Sequence, residues 1–472
     1  MKSPEALRKQ ILELTEELAS ITHGQENPAF IGGADDLFIP GEHTVPYAGR
    51  VFGSEEISAA VGSVLDFWLT LGPEGEAFER KLAECLGVKR SLLVNSGSSA
   101  NLLAMSALTS NRLKERALQP GDEVITVAAG FPTTVAPILQ NRLVPVFIDN
   151  DPITLNAKVE YLEEAYQEGK TKAVMMAHTL GNPFDLKAIT EFCEKYNLWL
   201  IEDNCDALGS LYGDQMTGSF GDLTSQSFYP PHHLTLGEGG AVNIRDNMLL
   251  KVLVESFRDW GRDCWCPSGK DNTCCKRFGW QLGELPKGYD HKYIYSHFGY
   301  NIKPLDIQAA IGRVQIERLD EFSALRRENW KTLRRGLDSC SEFIDFVLPT
   351  HASGWDGNDF TWDEGATRVD PSWFGFMLMV KEDAPFTKVE LAKHLDEKKI
   401  GNRMLFGGNL LRQPAFVDRM KAEPDSMRVI GEMAGADEIM NRALFIGVYP
   451  GLTSAMLEYV IEVITDFVGQ KH

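Results

Sequence analysis

At 472 residues, with 43% apolar residues, the chain exceeds a usual single domain and has enough apolar content for a large core, so two lobes are expected. A formal net charge of −20 argues against nucleic acid as a partner while leaving room for local phosphate pockets. Residues Met1 to Ile21 hold no signal-like apolar run, and no stretch reaches the roughly 18 apolar residues of a membrane span, so a cytoplasmic protein with no membrane partner is expected.

Leu7, Ile11, Leu14, Leu18 and Ile21 follow helical spacing behind Ser3-Pro4, which predicts an amphipathic helix docking on the body; with the rest of residues 1–50 it forms an N-terminal arm. Across 51–303, the apolar runs SLLV, EVITV, VPVFID, AVMMAH and LWLIED alternate with helix-like segments such as Val159 to Gln167 and Leu186 to Tyr196. That alternation predicts an α/β large domain with a mostly parallel sheet covered by helices, and chemistry at the strand ends. From 304 to 472 the chain reads as a linking helix, Pro304 to Phe322, and a smaller α+β C-terminal domain. Its parts are the strand FGFMLMV, a helix over Thr387 to Lys398 and a closing helix over Met456 to Val468. His351 to Asp370, rich in Gly, Asp, Thr and Trp without period, reads as a surface insertion.

Two stretches carry chemistry. NSGSSANLL, from Asn95, follows a predicted strand and opens a helix; small Gly97 and Ser98 let the backbone approach an anion at the helix N-terminus. SFYPPHHLTLGEGG, from Ser227 to Gly240, runs from a strand through two prolines and two histidines into a glycine turn, a loop presenting side chains at a strand end.

The second stretch resembles the cofactor loop of the sugar aminotransferases related to DegT and StrS, in which Ser-Phe-x-x-x-Lys followed by Gly-Gly carries the lysine that bonds to pyridoxal phosphate. His232 stands at the lysine position here. The resemblance covers about Val51 to the C-terminus and implies an aspartate-aminotransferase-like large domain, fold type I of the pyridoxal-phosphate enzymes. An imidazole cannot make the stable covalent link, so the cofactor implied is pyridoxamine phosphate held non-covalently, with His232 as the catalytic base. The resemblance further implies that Phe131 lies flat on the pyridine, Asp203 pairs with its nitrogen, Asp206 sits beside them, and Ser227 contacts the phosphate. In GYNIKPLDIQAAIG, Asn301 matches an asparagine reaching the neighbouring subunit's phosphate, which implies a homodimer. In GNRMLFGGNLL, Arg403 and Asn409 match the region that binds nucleotide-diphosphate sugars. His178 and Asp185 are secondary pocket candidates.

Eight cysteines in a reducing compartment point to metal or redox chemistry before disulfides. Cys264, Cys266 and Cys274 form C-x-C-x7-C within a loop over 261–280, and Cys205 lies 58 intervening residues upstream of Cys264. Cys275 competes with Cys274, and zinc competes with iron-sulfur, since four thiolates suit both. Cys85, Cys193 and Cys340 read as inert thiols. With His232, these cysteines make the chain similar to the iron-sulfur, pyridoxamine-phosphate-dependent 3-dehydrases of nucleotide 4-keto-6-deoxyhexoses. That similarity implies a 2Fe-2S cluster on Cys205, Cys264, Cys266 and Cys274, and a partner flavin and iron-sulfur reductase, because no Gly-x-Gly-x-x-Gly nicotinamide fingerprint is present. Two residues of extended chain reach at most roughly 7 Å, so Cys205 would hold its metal near a cofactor bound at Asp203. The implied reaction is C3 deoxygenation of a CDP-, dTDP- or otherwise linked sugar. The alternatives are a cluster-free 3-dehydratase regenerated by transamination and a non-catalytic sugar-nucleotide-binding protein.

Overall fold

The computed structural model describes residues 2–24, 29–31, 38–267 and 269–471. Its large sheet has eight strands in the order Arg90–Val94, Gly240–Ile244, Leu223–Ser227, Trp199–Asp203, Thr171–Ala177, Glu123–Val127, Val144–Ile148 and Arg428–Val429. Only Gly240–Ile244 runs antiparallel to its two neighbours. The inner strands Glu123–Val127, Trp199–Asp203 and Leu223–Ser227 are buried at every position. Helices cover both faces of a parallel sheet, which is why these strands read as unbroken apolar runs.

The helices have local causes. Ser96 accepts a hydrogen bond from the Ser99 N–H and starts Gly97–Leu108, a helix buried at nearly every turn. Leu186–Tyr196 is capped by Asp185 and ended by left-handed Asn197, and it buries Leu186, Ile189, Phe192 and Cys193 on one face. Val159 to Gln167 is not one helix: a 3-10 turn over Val159–Tyr161 leads to the four-residue helix Leu162–Ala165.

The linking helix is Asp306–Gln315, which passes through a 3-10 turn into Leu319–Gly336. Asp306 ties it to the N-terminal part of the large lobe by accepting from the N–H groups of Gly72 and Gly75, both at 2.8 Å. The small lobe is a four-stranded antiparallel sheet in the order Ile344–Asp345, Gly375–Val380, Ala443–Gly447 and Asn402–Met404. Lys388–Glu397, with a Thr387/Glu390 capping box, and Ser454–Lys471 cover it. The proposed insertion is not irregular: it carries the hairpin Ala352–Trp355/Phe360–Trp362 and ends on Val369–Asp370, paired to Leu211–Tyr212.

Two expectations need correction. The N-terminal helix forms, over Pro4–His23, but its apolar stripe does not dock on the body: Leu14 is 55% and Leu18 64% exposed, and Ala19 alone is buried. Contact is made instead by another face, through Arg8 to Asp66 and the Gly62 carbonyl and through Ala19 in a small apolar cluster with Phe30 and Phe52. Nor does the chain divide cleanly at 304, because Arg428–Val429 returns from the small lobe to pair in parallel with Val146 and Phe147 at the edge of the large sheet.

Candidate functional site

A cavity of about 520 Å³ opens where the strands of the large sheet end and the small lobe begins. Asp203 terminates its strand there and Ser227 terminates the next. Gly97 and Ser98 open the helix after the first strand, and Phe131 caps the helix after the second.

Asp203 is held from four sides. Its Oδ2 accepts from Asn101 Nδ2 at 2.8 Å and Thr134 Oγ1 at 2.7 Å, and its Oδ1 from the Cys205 N–H at 3.2 Å and Ser225 Oγ at 3.3 Å. These donors fix one rotamer and present the buried carboxylate to the cavity. Gly97 makes a cradle: an added Cβ would stand 2.6 Å from the Ser227 Cβ and 3.0 Å from Cys205 Sγ. Gly97→Ala is therefore expected to push the helix N-terminus off Ser227, weakening phosphopyridine affinity by about 10-fold or more and lowering Tm as well. Titration of the apoprotein with pyridoxamine phosphate, read by absorbance, checks this.

The Pro-Pro-His-His loop separates its two histidines. His232 enters the cavity, while His233 points away, fully buried, with Nε2 at 2.6 Å from the Ser372 carbonyl. His232 Nδ1 lies 3.4 Å from Asp206 Oδ1, close but not aligned for a hydrogen bond. Burial, helped by the Arg326 cation, pushes the His232 imidazole down to about 4. Burial, then the neighbouring Asp203, pushes the Asp206 carboxyl up to about 8. His232 is thus neutral over the whole physiological range, the state a base needs. Arg326 locks the loop: buried itself, it donates to the carbonyls of Trp373 and His232, both at 3.1 Å, and of Pro231 at 3.4 Å.

Of the substrate candidates, Arg403 lines the cavity, with its guanidinium 4.2 Å from the Tyr47 ring centroid and exposed to solvent. Asn409 does not line it: fully buried, it donates to Asp437 at 2.7 Å and caps a 3-10 turn through the Leu411 N–H. His178 and Asp185 also leave the set. His178 is buried between Glu202, at 3.0 Å, and the stacked ring of Phe184, and Asp185 caps a helix. Asn301 is exposed outside its own chain's cavity, its Oδ1 accepting from Lys303 Nζ at 3.0 Å.

The cysteines divide. Cys205 borders the main cavity beside Asp203, whereas Cys264, Cys266 and Cys274 border a separate small one; Cys275 is exposed. Among the described residues, no group of three or more His, Cys, Asp and Glu side chains stands at metal-holding geometry. The four-cysteine set expected from sequence does not fit a cluster within this chain. Sequence reasoning missed Asn101, Thr134, Arg326 and Tyr47. Asn101 lies one helical turn after Gly97, a spacing that could have flagged it, while nothing in the sequence marks the others.

The donors around Asp203, the glycine cradle, the aromatic Phe131 and the orphaned His232 Nδ1 together fit a phosphorylated pyridine. The fold is type I of the pyridoxal-phosphate-dependent enzymes. It superposes on the Escherichia coli GDP-4-keto-6-deoxy-D-mannose-3-dehydratase with bound hydrated PLP at TM-score 0.72 and 26% identity, covering 89% of this chain and 100% of that one. The DegT/DnrJ/EryC1/StrS aminotransferase family model matches residues 52–465, and the chain belongs to that family. It is 53% identical over 432 residues to the lipopolysaccharide biosynthesis protein RfbH of Salmonella typhimurium, covering 92% of this chain and 93% of that protein. It is 44% identical over 447 residues to the dTDP-4-dehydro-2,6-dideoxy-D-glucose 3-dehydratase of Saccharopolyspora spinosa, covering 95% and 90%. Among the described residues no helix is long and apolar enough to cross a membrane.

Proposed function

We propose that this chain removes the C3 hydroxyl of a nucleotide-diphosphate-linked 4-keto-6-deoxyhexose, with pyridoxamine phosphate as cofactor, in the making of a deoxysugar. The observation that carries this reading is His232: the loop that holds lysine in the family's aminotransferases places a neutral imidazole in the cavity. The names of relatives that are 3-dehydratases support the same reaction class.

Bound pyridoxamine phosphate supplies an amine for the C4 carbonyl and a ring that accepts electrons. The chain's residues do the rest. Gly97, Ser98 and Ser227 receive the phosphate, Phe131 covers one face of the pyridine, and Asp203 keeps its nitrogen protonated. His232 takes a proton from the cofactor carbon next to C4, so that the C3 hydroxyl can leave as water. Arg403 at the cavity mouth offers a cation to the diphosphate.

Net deoxygenation needs two further electrons, for which a flavin and iron-sulfur reductase is the partner in this reading. A homodimer is supported by the exposed apolar stripe of the first helix, which lies beside exposed Val64, Phe67 and Trp68. The alternative, a cluster-free dehydratase regenerated by transamination, shares every residue role above.

The test is oxygen exchange. Protein loaded with pyridoxamine phosphate, given a CDP- or dTDP-linked 4-keto-6-deoxyhexose in H₂¹⁸O without reductase, is expected to place ¹⁸O at C3. Tight substrate binding with no exchange would leave a binding protein instead. Glutamate-driven turnover without reductase would favour the transamination route.

A further inference from the structure

We infer that the protein holds one ordered water molecule behind the Pro-Pro-His-His loop, hydrogen-bonded to Arg326 Nε and His233 Nδ1, which ties the linking helix to that loop. A cavity of about 10 Å³ lies there, bordered by Arg326, His233 and Thr235 and walled by apolar groups such as Phe322 and Pro450. That is room for one water and little more. His232 borders both this cavity and the cofactor cavity, so its ring stands between the two.

Two buried polar atoms on the small cavity lack partners. Arg326 is 1% and His233 2% exposed. The terminal nitrogens of Arg326 donate to the carbonyls of Trp373, His232 and Pro231, which leaves its Nε–H without an acceptor. His233 Nε2 lies 2.6 Å from the Ser372 carbonyl, so that nitrogen carries the proton; Nδ1 keeps a bare lone pair, also without a partner. One atom is a donor and the other an acceptor, and water serves both. A halide ion would accept from Nε–H but repel the His233 lone pair. Thr235 supplies a third partner: its Oγ1 accepts from the Gly237 N–H at 3.1 Å, and its own O–H can donate to the water oxygen. Three bonds are what a buried water usually makes. Without it, a buried guanidinium N–H would bear its desolvation unrelieved.

The water closes a ring of contacts. Arg326 rises from Leu319–Gly336, His233 belongs to the loop that carries His232, and their other acceptors, Trp373 and Ser372, are neighbours just before the small-lobe strand Gly375–Val380. Helix, loop and small lobe are thereby held at one point.

The inference does not depend on the sugar reaction, because each readout is of the resting protein. A crystal structure of the full-length protein, at a resolution that shows ordered waters, is expected to place one spherical peak roughly 2.7–3.2 Å from both Arg326 Nε and His233 Nδ1. A crystal grown in bromide and measured at the bromine edge should show no anomalous peak there. In solution, ¹⁵N-histidine-labelled protein is expected to show His233 with a protonated Nε2 and an Nδ1 resonance shifted upfield from that of an unbonded lone pair, the signals being assigned by their loss in His233→Asn. A cavity without density, a peak touching only one of the two atoms, a bromide peak, or an Nδ1 resonance at the unbonded or protonated position would each overturn the assignment.

Discussion

Replacing His232 with asparagine is expected to slow loss of the cofactor's C4′ proton by roughly 10²- to 10⁴-fold, the usual contribution of a positioned base, while pyridoxamine phosphate still binds. His233→Asn is expected to keep much of the activity, since that ring serves the Ser372 carbonyl outside the cavity. The pH profile gives a second reading. Because burial holds His232 down to about 4 instead of 6.5, the base stays unprotonated as pH falls from 7 to 5, and the acid limb should lie nearer 4. A limb centred at 6.5, or full activity in His232→Asn, would remove His232 from the role. His232→Lys tests direction: its amine should capture pyridoxal phosphate in a form that borohydride makes permanent, located at residue 232 by mass spectrometry after proteolysis.

Asp203→Asn is expected to cost about 10²-fold or more in turnover, as loss of a preorganised charge opposite a charged ring atom usually does. The surroundings make this substitution harsher than an isosteric change suggests. All four partners of Asp203 are donors, and an amide brings an NH₂ that must face either Asn101 and Thr134 or the Cys205 N–H and Ser225. The side chain therefore loses part of its support along with its charge. Cofactor titration and turnover both matching the parent would mean that Asp203 is not the ring-nitrogen partner.

The large lobe was legible because its strands are buried on both faces and punctuated by capped helices, so apolar runs and cap residues mark the same boundaries. Phe131, Asp203 and Ser227, which the resemblance singled out, share one kind of position: each falls at a strand end or the helix start just after one. Asn409 misled because an asparagine in a glycine-punctuated turn looks the same whether it caps a turn, as here through Leu411, or meets a ligand. His178 misled likewise, since nothing in the chain reveals the Glu202 that faces it. Cys205 and the C-x-C-x7-C segment carry no local signal of their separation, because 58 intervening residues set no distance between their ends. The stripe of the first helix shows that periodicity marks an apolar face without saying what covers it. Arg428–Val429, two residues long, is too short for any pattern to register.

That last strand bears on how the polypeptide is made. Val144–Ile148 stays without its outer neighbour until residue 429 of 472 has left the ribosome, well after the rest of the large sheet has been synthesised. An apolar strand with a free edge then waits through more than 280 residues of translation, about 14 seconds or longer at ordinary elongation speeds, exposed to pairing with other nascent chains. Vectorial folding of this protein is therefore expected to depend on chaperone cover late in synthesis, and a release product ending near residue 303 should accumulate as aggregate, not as a free-standing large lobe.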